Sequence, residues 1–235
     1  MKSVAVVLSG GRGKRMNTSV PKQYLDVCGK PVLYYSLKAF QDSIVDEIIL
    51  VTSKEDIEYV KENIVDKYNL SKVKKIVCGG KERYNSVFCG LDAIDNADYV
   101  LIHDGARPFV TDDIINNNIS ALSICDGCVT AVQSKDTVKI SDEKDFVAST
   151  PERDRVWMVQ TPQSFKFDII YKAYKQLVCN EKIYIDKGIK ITDDAMVAEY
   201  ITDIKIKFIN GDYRNIKITT PEDLIIAKAY IEAGN

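Results

Sequence analysis

The sequence predicts a doubly wound α/β fold, in which a mostly parallel sheet carries helices on both faces. Short apolar runs rich in β-branched residues alternate along the chain with apolar residues at helical spacing. Continuous apolar runs are typical of parallel strands that are buried on both faces. The chain has 235 residues, of which 46% are hydrophobic and 28% charged. This length and composition suit one globular domain, so we expect a single domain over residues 1–235.

Five buried strands are predicted in the first part of the chain, at 4–8, 48–51, 73–77, 99–102 and 129–132. A turn at 28–31 precedes the first helix. The helices between the strands are predicted from apolar residues three and four positions apart. Their stripes are Val32, Leu33, Leu37 and Phe40; Ile57, Val60 and Ile64; Val87, Leu91 and Ile94; and Ile115, Ile119 and Leu122. Because ligands of such sheets lie at the carboxyl ends of the strands, functional loops should begin at Ser9, near Gly79 and at His103.

Residues 135–150 interrupt the alternation and predict a β-hairpin inserted into the fold, with a polar turn at 141–145. A two-stranded ribbon is barely stable alone, so we expect the arm at 135–152 to pack against a second subunit. After the arm we predict a strand at 156–159, a helix at 166–179, a helix that opens at 192–194 and a strand at 204–209. The last helix should begin with Thr220 as its N-cap and Pro221 in its first turn.

Charge and composition exclude several classes of protein. Lys and Arg number 32 against 34 Asp and Glu, so bulk attraction to nucleic acid is not expected. The six cysteines are scattered, and Cys125 and Cys128 form a lone C-x-x-C, which favours reduced structural thiols over a metal site. The apolar run at 4–8 is too short for a signal peptide, and no apolar stretch approaches the length of about 18 residues that suggests a membrane span. We expect a soluble, cytoplasmic protein without membrane contact.

A glycine-rich loop with its own cations follows the first predicted strand. The loop is Ser9-Gly10-Gly11-Arg12-Gly13-Lys14-Arg15. Its glycines allow a tight turn that presents backbone N–H groups to an anion, and its basic side chains add positive charge. A Walker loop requires Ser or Thr where Arg15 stands, and a dinucleotide fingerprint requires Gly where Met16 stands. The loop therefore predicts a phosphate site of another type.

Further polar residues follow the later strands. Lys22 stands close enough to Gly11 to fold back over the same anion. In the loop at 78–86, Gly80 again follows a strand, and Ser86 either donates to a base or ribose or helps Asn85 to cap the next helix. The sequence leaves these two roles of Ser86 equally open.

The predicted strand at 99–102 is followed by an acid and a glycine. Asp104 suits ribose hydroxyls or a metal ion, and Arg107 is placed to orient the loop by pairing with it. His103, the only histidine, fits a hydrogen-bonded structural role better than that of a general base, which leaves a Ser/His/Asp triad with little support. Lys217 lies in a β-like run just before a helix start.

These motifs, in this order, resemble one family over nearly the whole chain. They are Leu8-Ser-Gly-Gly-x-Gly-x-Arg15-Met, Pro21-Lys22-Gln23, Gly79-Gly80, His103-Asp-Gly-Ala-Arg-Pro108, Gln160-Thr-Pro-Gln163, Thr192-Asp-Asp-Ala195 and Asn215-Ile-Lys-Ile-Thr-x-Pro-Glu-Asp223. The sequence resembles the 2-C-methyl-D-erythritol 4-phosphate cytidylyltransferase family of the non-mevalonate isoprenoid pathway. The sister family, ribitol-5-phosphate cytidylyltransferase, shares most of the motifs. The motif at 104–108 and Trp157 favour the 2-C-methyl-D-erythritol 4-phosphate family.

The resemblance implies a Rossmann-like nucleotidyltransferase fold and transfer of CMP from CTP to a polyol phosphate, with release of pyrophosphate. It implies a homodimer built on the arm, and Mg²⁺ held mainly by the phosphates of CTP, with no metal ligand assigned to the protein. The implied catalytic residues are Arg15, Lys22 and Lys217. The implied CTP-binding residues are Ser9, Gly10, Gly11, Gly13, Gly80, Ser86, Asp104 and Gly105. The implied acceptor-binding residues are Thr137 and Arg153 from the neighbouring subunit, together with Thr192 and Arg107. Lys81 departs from the family, which commonly has Asp there.

Three alternatives stay open at this point. The acceptor could be ribitol 5-phosphate, or the protein could be a regulatory module that binds a nucleotide and catalyses nothing. A dehydrogenase ranks last, because the fingerprint residues are missing. Release of pyrophosphate separates the two transferases from the regulatory module.

Overall fold

Eleven strands occur in the part of the chain that the structure, a computed structural model, describes: residues 1–11 and 20–234. They are β1 (Ser3–Leu8), β2 (Asp26–Val27), β3 (Lys30–Pro31), β4 (Glu47–Thr52), β5 (Val73–Cys78), β6 (Tyr99–Asp104), β7 (Gly127–Gln133), β8 (Ile140–Ser141), β9 (Val147–Ser149), β10 (Trp157–Lys166) and β11 (Ile206–Asn210). Seven of them form the central sheet in the order β11-β7-β10-β6-β1-β4-β5. Only β10 runs antiparallel to its neighbours in this sheet. The predicted mostly parallel sheet is confirmed.

Eight α-helices flank the sheet in the same described ranges. They are α1 (Val32–Asp42), α2 (Ile57–Val60), α3 (Arg83–Asp92), α4 (Asp112–Ala121), α5 (Phe167–Cys179), α6 (Glu181–Asp186), α7 (Asp194–Ile201) and α8 (Pro221–Glu232). The π-helical stretch Lys61–Asp66 continues α2. Thr220 and Asp223 form a capping box at the start of α8, as Thr220-Pro221 predicted. No helix among the described residues is long and apolar enough to cross a bilayer.

The central strands are apolar throughout because both faces of the sheet are covered. Alternate residues of β1 point to opposite sides, so Val4 and Val6 belong to one core and Ala5 and Val7 to the other. The first core packs against Leu91 and the other apolar residues of α3, α5 and α7; the second packs against α1, α2 and α4. This two-sided burial confirms the doubly wound fold, and it leaves the ends of the strands as the place for polar chemistry.

The strand predicted at 156–159 is much longer than expected. It continues as β10 to Lys166, with a register shift between Val159 and Gln163 where it pairs with β7. The prediction was too short because Pro162 and its polar neighbours break the apolar pattern. Those polar side chains are buried and hydrogen-bonded, as Ser164 is to the Asn118 side chain at 2.9 Å. The short helix α6 has no counterpart in the prediction.

The arm is present as a hairpin of β8 and β9. The Asp142 side chain accepts hydrogen bonds from the N–H groups of Lys144 and Phe146 and closes the turn. Ile140, Phe146 and Val147 are exposed, Phe146 by 69%. The inserted hairpin is confirmed, and it presents apolar side chains that none of the described residues covers.

Candidate functional site

A cavity of about 380 Å³ opens at the carboxyl ends of β1, β5 and β6. Its walls come from five separate stretches of the chain. The lining residues are Leu8, Ser9, Gly10, Gly11, Lys22, Gln23, Gly80, Lys81, Glu82, Arg83, Ser86, Asp104, Ala106, Lys217 and Thr219. This is the edge of the sheet at which the sequence predicted functional loops.

The first wall is built from the loop after β1 and the segment around Lys22. The N–H of Ser9 donates to the carbonyl oxygen of Val51 at 2.7 Å, which continues the sheet by one residue. The buried side chain of Gln23 donates to the carbonyl of Ser9. This contact holds the neighbouring Lys22 beside the cavity. The Lys22 ammonium group donates to the carbonyl of Ile218 at 2.6 Å. Gly13 and Arg15, both predicted for this site, lie outside the described residues.

The second wall is the loop between β5 and α3. The N–H of Gly80 donates to the Ser86 hydroxyl at 3.1 Å, and that hydroxyl lies 3.2 Å from the carbonyl of Glu82. A Cβ on Gly80 would lie 2.4 Å from the Cβ of Asn85, so a side chain does not fit there. Glu82 and Asn85 form the capping box of α3. Ser86 stabilises the loop and lines the cavity, while Glu82 and Asn85 cap the helix.

Asp104, the last residue of β6, lies among three cations. Its Oδ2 is 2.8 Å from the Lys217 ammonium and 3.7 Å from Nε of Arg107, and its Oδ1 is 3.5 Å from Nε of Arg83. Arg107 also donates from Nη1 to the carbonyl of Asn215 at 2.8 Å. The predicted pairing of Arg107 with Asp104 is present, while Arg83 was not predicted as a site residue.

These cations decide the charge of Asp104. Burial alone would raise the pKa of the carboxyl group, but Arg83, Lys217 and Arg107 outweigh it and hold that pKa well below its ordinary value. Burial lowers the pKa of Arg107, and Asp104 partly offsets that effect. The cavity floor is therefore a fixed carboxylate with an excess of positive charge around it, a suitable environment for an anionic ligand with hydroxyl groups.

His103 is structural, as its sequence context indicated. Its ring is fully buried, with Nδ1 3.0 Å from the Thr161 hydroxyl and Nε2 3.1 Å from the carbonyl of Arg107. Burial lowers the pKa of His103 to about 4, so the ring is neutral at pH 7. The Thr161 hydroxyl also accepts from the N–H of Asp104 at 3.1 Å. The ring therefore helps to orient the loop after β6.

Lys217 is positioned by the strand-like segment that precedes α8. The N–H of Ile218 donates to the carbonyl of Ala106 at 2.8 Å. The buried side chain of Asn215 donates to the carbonyl of Thr161 at 2.9 Å. These two contacts attach the segment to β10 and to the loop after β6, and they place Lys217 over Asp104.

The structure brings most of the predicted residues together. Ser9, Gly10, Gly11, Lys22, Gly80, Ser86, Asp104 and Lys217 line the cavity. Gly105 lies behind the wall, its N–H donating to the carbonyl of Leu8 at 2.8 Å. Thr137, Arg153 and Thr192 are exposed and do not line the cavity of this chain. Arg83 belongs to no periodic or glycine pattern that would have predicted it, although it follows the Gly79-Gly80 turn by only three residues.

Gly105 offers a test of why the loop after β6 carries glycine. A Cβ there would lie 2.8 Å from Cδ1 of Leu33 and 2.9 Å from the carbonyl oxygen of Leu8. We expect Gly105→Ala to lower the free energy of unfolding by about 1–3 kcal/mol, the usual effect of overpacking. The matched control is Gly11→Ala, because a Cβ there meets no atom of residues 1–11 or 20–234 within 4 Å. Urea unfolding of the two variants without ligand measures the difference, and equal stabilities would contradict the packing argument.

Comparison with known proteins gives one consistent result. The model of the family described as 2-C-methyl-D-erythritol 4-phosphate cytidylyltransferase (IspD) matches residues 3–233. The enzyme of that name from Lachnoclostridium phytofermentans is 49% identical over 230 residues, which covers 98% of this chain and 96% of that one.

Solved structures agree with the sequence comparison. The crystal structure of the 4-diphosphocytidyl-2C-methyl-D-erythritol synthase from Anaerococcus prevotii has a TM-score of 0.85 and 38% identity, and it covers 98% of this chain and 96% of its own. The 2-C-methyl-D-erythritol 4-phosphate cytidylyltransferase from Francisella tularensis has a TM-score of 0.77 and 29% identity, covering 97% and 99%. Both similarities extend over the whole fold, including the strands that carry the cavity.

Proposed function

Because the chain belongs to the 2-C-methyl-D-erythritol 4-phosphate cytidylyltransferase family, we propose that its reaction takes place in the cavity between Gly11, Gly80 and Lys217. The enzyme transfers CMP from CTP to 2-C-methyl-D-erythritol 4-phosphate and releases pyrophosphate, a step of the non-mevalonate pathway. The observation that carries the assignment of the site is the convergence of Lys22 and Lys217 on one cavity that also contains Asp104.

The chemistry requires neutralisation of charge more than covalent catalysis. An oxygen of the acceptor phosphate forms a bond to the α-phosphorus of CTP, and the bond from that phosphorus to the oxygen bridging to the β-phosphorus breaks. Pyrophosphate leaves with that electron pair. Lys22 and Lys217 act on the charge that builds up on the phosphate oxygens. Lys22 contacts the carbonyl of Ile218, the residue next to Lys217, so both ammonium groups serve the same part of the cavity. By the family resemblance, Arg15 joins them.

The other walls suit the nucleoside. The Asp104 carboxylate stays ionised and accepts from the ribose hydroxyls. Gly80 lets the backbone approach the base closely, since a side chain at that position does not fit. Ser86 lines the same wall and supplies a hydroxyl that both donates and accepts. Lys81 lines it as well, where the family commonly has Asp.

Mg²⁺ fits this cavity as an ion carried by the nucleotide. Among the described residues no group of three or more acidic, His or Cys side chains could hold a metal ion. The carboxylates of Asp104 and Glu82 line the cavity, and Mg²⁺ in such sites usually takes one or two carboxylates with substrate phosphates and water. When bound, the ion would neutralise charge on the phosphates of CTP.

The acceptor site involves a second copy of the chain in this proposal. Thr137 and Arg153, at the two ends of the arm, are exposed and away from the cavity, whereas Thr192 lies two residues before α7 on the same chain. A neighbouring arm laid across the cavity would bring its Thr137 and Arg153 to the acceptor, and it would cover the exposed Phe146. Arg107 would meet the acceptor from within this chain. We expect the dimer to work in the cytoplasm.

A direct assay tests the function. The protein is incubated with CTP and Mg²⁺ and with either 2-C-methyl-D-erythritol 4-phosphate or ribitol 5-phosphate, and released pyrophosphate is measured. We expect release with the first acceptor and much less with the second. UTP, ATP and GTP in place of CTP should react more slowly. Tight CTP binding without pyrophosphate release under any condition would favour the regulatory module instead.

The proposed dimer has its own test. We expect the mass of two chains by sedimentation at micromolar protein, and Phe146→Asp should shift the equilibrium toward one chain, because a charge in an apolar contact is costly. The matched control is Ile124→Asp, because Ile124 is about as exposed as Phe146. Ile124 precedes β7, whereas the arm follows it, so the two residues lie at opposite ends of that strand. A wild-type mass of one chain, or equal effects of the two variants, would contradict the arm as the interface.

A further inference from the structure

Arg83 joins two carboxylates that belong to different parts of the fold. Its Nη1 and Nη2 donate to Oδ1 and Oδ2 of Asp194 at 2.8 and 2.7 Å, a bidentate pair. Its Nε faces Oδ1 of Asp104 at 3.5 Å. Asp104 ends β6 and lines the cavity, whereas Asp194 is the first residue of α7. One guanidinium group therefore spans from the nucleotide cavity to the start of another helix.

The start of α7 is held on both sides. Asp194 is fully buried, and the Tyr174 hydroxyl also donates to its Oδ1. The Gln163 side chain accepts from the N–H groups of Asp194 and Ala195 at 3.0 and 2.8 Å. Its amide nitrogen donates to Asp193 at 3.1 Å. These contacts fix the turn against β10 and α5. Arg83 adds a direct side-chain link from Asp194 to the carboxylate of Asp104.

The electrostatics favour a permanent link. Burial alone would lower the pKa of Arg83, but Asp194 and Asp104 reverse that effect and raise it well above its ordinary value. Breaking a buried ion pair by removing one partner is strongly unfavourable, because the other charge is left without compensation. Asp194 thus retains Arg83 in place. Lys217, by comparison, is more exposed than Arg83 and pairs with Asp104 alone.

We infer that Arg83 is a positioning residue that ties the acceptor segment at 192–194 to the carboxylate of the nucleotide cavity, so that the acceptor phosphate and the α-phosphate of CTP are held in register. This inference rests on the proposed function, which assigns Thr192 to the acceptor and Asp104 to CTP. Without this tie the acceptor segment must be ordered when the acceptor binds, so the cost falls on acceptor binding and appears in KM. Arg suits this task because its planar fork engages one carboxylate through two donors while a third nitrogen faces another.

The decisive variant is Arg83→Lys, because it keeps the charge and removes the fork. A Lys ammonium can face Asp104, so the charge of the nucleotide cavity is retained, but it cannot make the bidentate pair with Asp194 at the same time. We expect the KM for the acceptor to rise about tenfold or more, while kcat and the Kd for CTP, measured by titration calorimetry without acceptor, change by less than about threefold. Tyr174→Phe, which removes the other side-chain donor to Asp194, should leave the acceptor KM within about twofold of the wild-type value.

A double-mutant cycle identifies the route of the effect. Asp194→Asn should raise the acceptor KM as Arg83→Lys does, and the double variant should be no worse than either single variant. An unchanged acceptor KM in Arg83→Lys would overturn the inference. Equal losses of CTP affinity and acceptor affinity in that variant would also overturn it, since they would indicate a general effect on folding or on the nucleotide cavity.

A second readout does not depend on turnover. Amide hydrogen exchange of a peptide covering residues 190–198 should be faster in Arg83→Lys than in wild type, while exchange in 3–8 is unchanged. Equal exchange in 190–198 would overturn the tie. If wild-type protein released no pyrophosphate, the proposed function would fail, but this exchange comparison would still decide whether Arg83 holds the segment. If Asp194→Asn folds poorly, the acceptor KM and the hydrogen exchange of Arg83→Lys still test the inference.

Discussion

Replacement of Lys22 by Ala is expected to lower the rate of pyrophosphate release from CTP by about 10²-fold or more, the usual effect of losing one preorganised donor to a developing charge. The ammonium group lies in the cavity beside the glycine loop, close to the segment that carries Lys217. In the proposed mechanism it meets the phosphate charge in the transition state, so the loss should appear in kcat. Steady-state kinetics with saturating CTP and acceptor measure it.

Two further variants separate charge from structure. Lys22→Gln retains a donor for the carbonyl of Ile218 but carries no charge, so it should be about as slow as Lys22→Ala. Lys74→Ala is the matched control: its ammonium group also donates to a backbone carbonyl, that of Ser71 at 3.0 Å, but it lies at the opposite end of the sheet. Its kcat should equal that of wild type. Near-wild-type turnover of Lys22→Gln would assign Lys22 a structural role instead.

Asp104→Asn is expected to reduce both turnover and stability. The variant leaves Arg83, Arg107 and Lys217 around a neutral group, so positive charges repel each other where an anion held them. We expect a loss of about 3 kcal/mol in the free energy of unfolding, as for other broken buried pairs. For a chain of this length that corresponds to a fall of roughly 6 to 12 °C in Tm. Turnover should fall about 10²-fold, because Lys217 loses the partner that orients it.

The pH dependence of stability tests whether the charge of the Asp104 carboxylate causes the difference in Tm. The pKa of Asp104 is well below its ordinary value because of the three cations, and an unfolded Asp has a pKa of about 3.9. A depressed pKa in the folded state contributes stability that is complete above the unfolded value and is lost as pH falls. The gap in Tm between wild type and Asp104→Asn should therefore be constant from pH 7 to about pH 5 and narrow below it. A gap that stays constant to pH 3 would contradict the electrostatic explanation.

The sequence predicted the elements of the fold better than their limits. The strand predicted at 99–102 extends as β6 to Asp104, because the sheet continues to pair with β1 even where the residues become polar. β10 was also predicted too short. The Ser164 hydroxyl donates to the Asn118 side chain and the Pro162 carbonyl accepts from the Thr130 hydroxyl, and propensity cannot foresee such long-range contacts. α6 was missed because its six residues are too few for a clear helical period.

The site shows the same division. Glycines and basic residues directly after a strand are a local signal, and Ser9, Gly80 and Lys22 were found through it. Arg83 and Asp194 were not, since they are 111 residues apart in the chain and neither belongs to a recognisable local pattern as an ion pair. The family resemblance identified the residues that match its motifs. It could not identify the ion pair of Arg83 with Asp194, because that pair depends on how two distant segments pack together.

The amino-acid sequence determined which stretches would be buried strands, which loops would line the cavity and to which family the chain belongs, because apolar periodicity, glycine positions and motif order are all local properties. It also predicted the local pair of Arg107 with Asp104. Only the tertiary structure decided that Arg83 and Lys217 meet the same carboxylate. Asp104 faces Arg83, Arg107 and Lys217 because the order of the strands brings the ends of β5 and β6, the start of α7 and the approach to α8 to one edge of the sheet. The interaction of two charges depends on their distance and burial in space, and neither is a function of their separation along the chain.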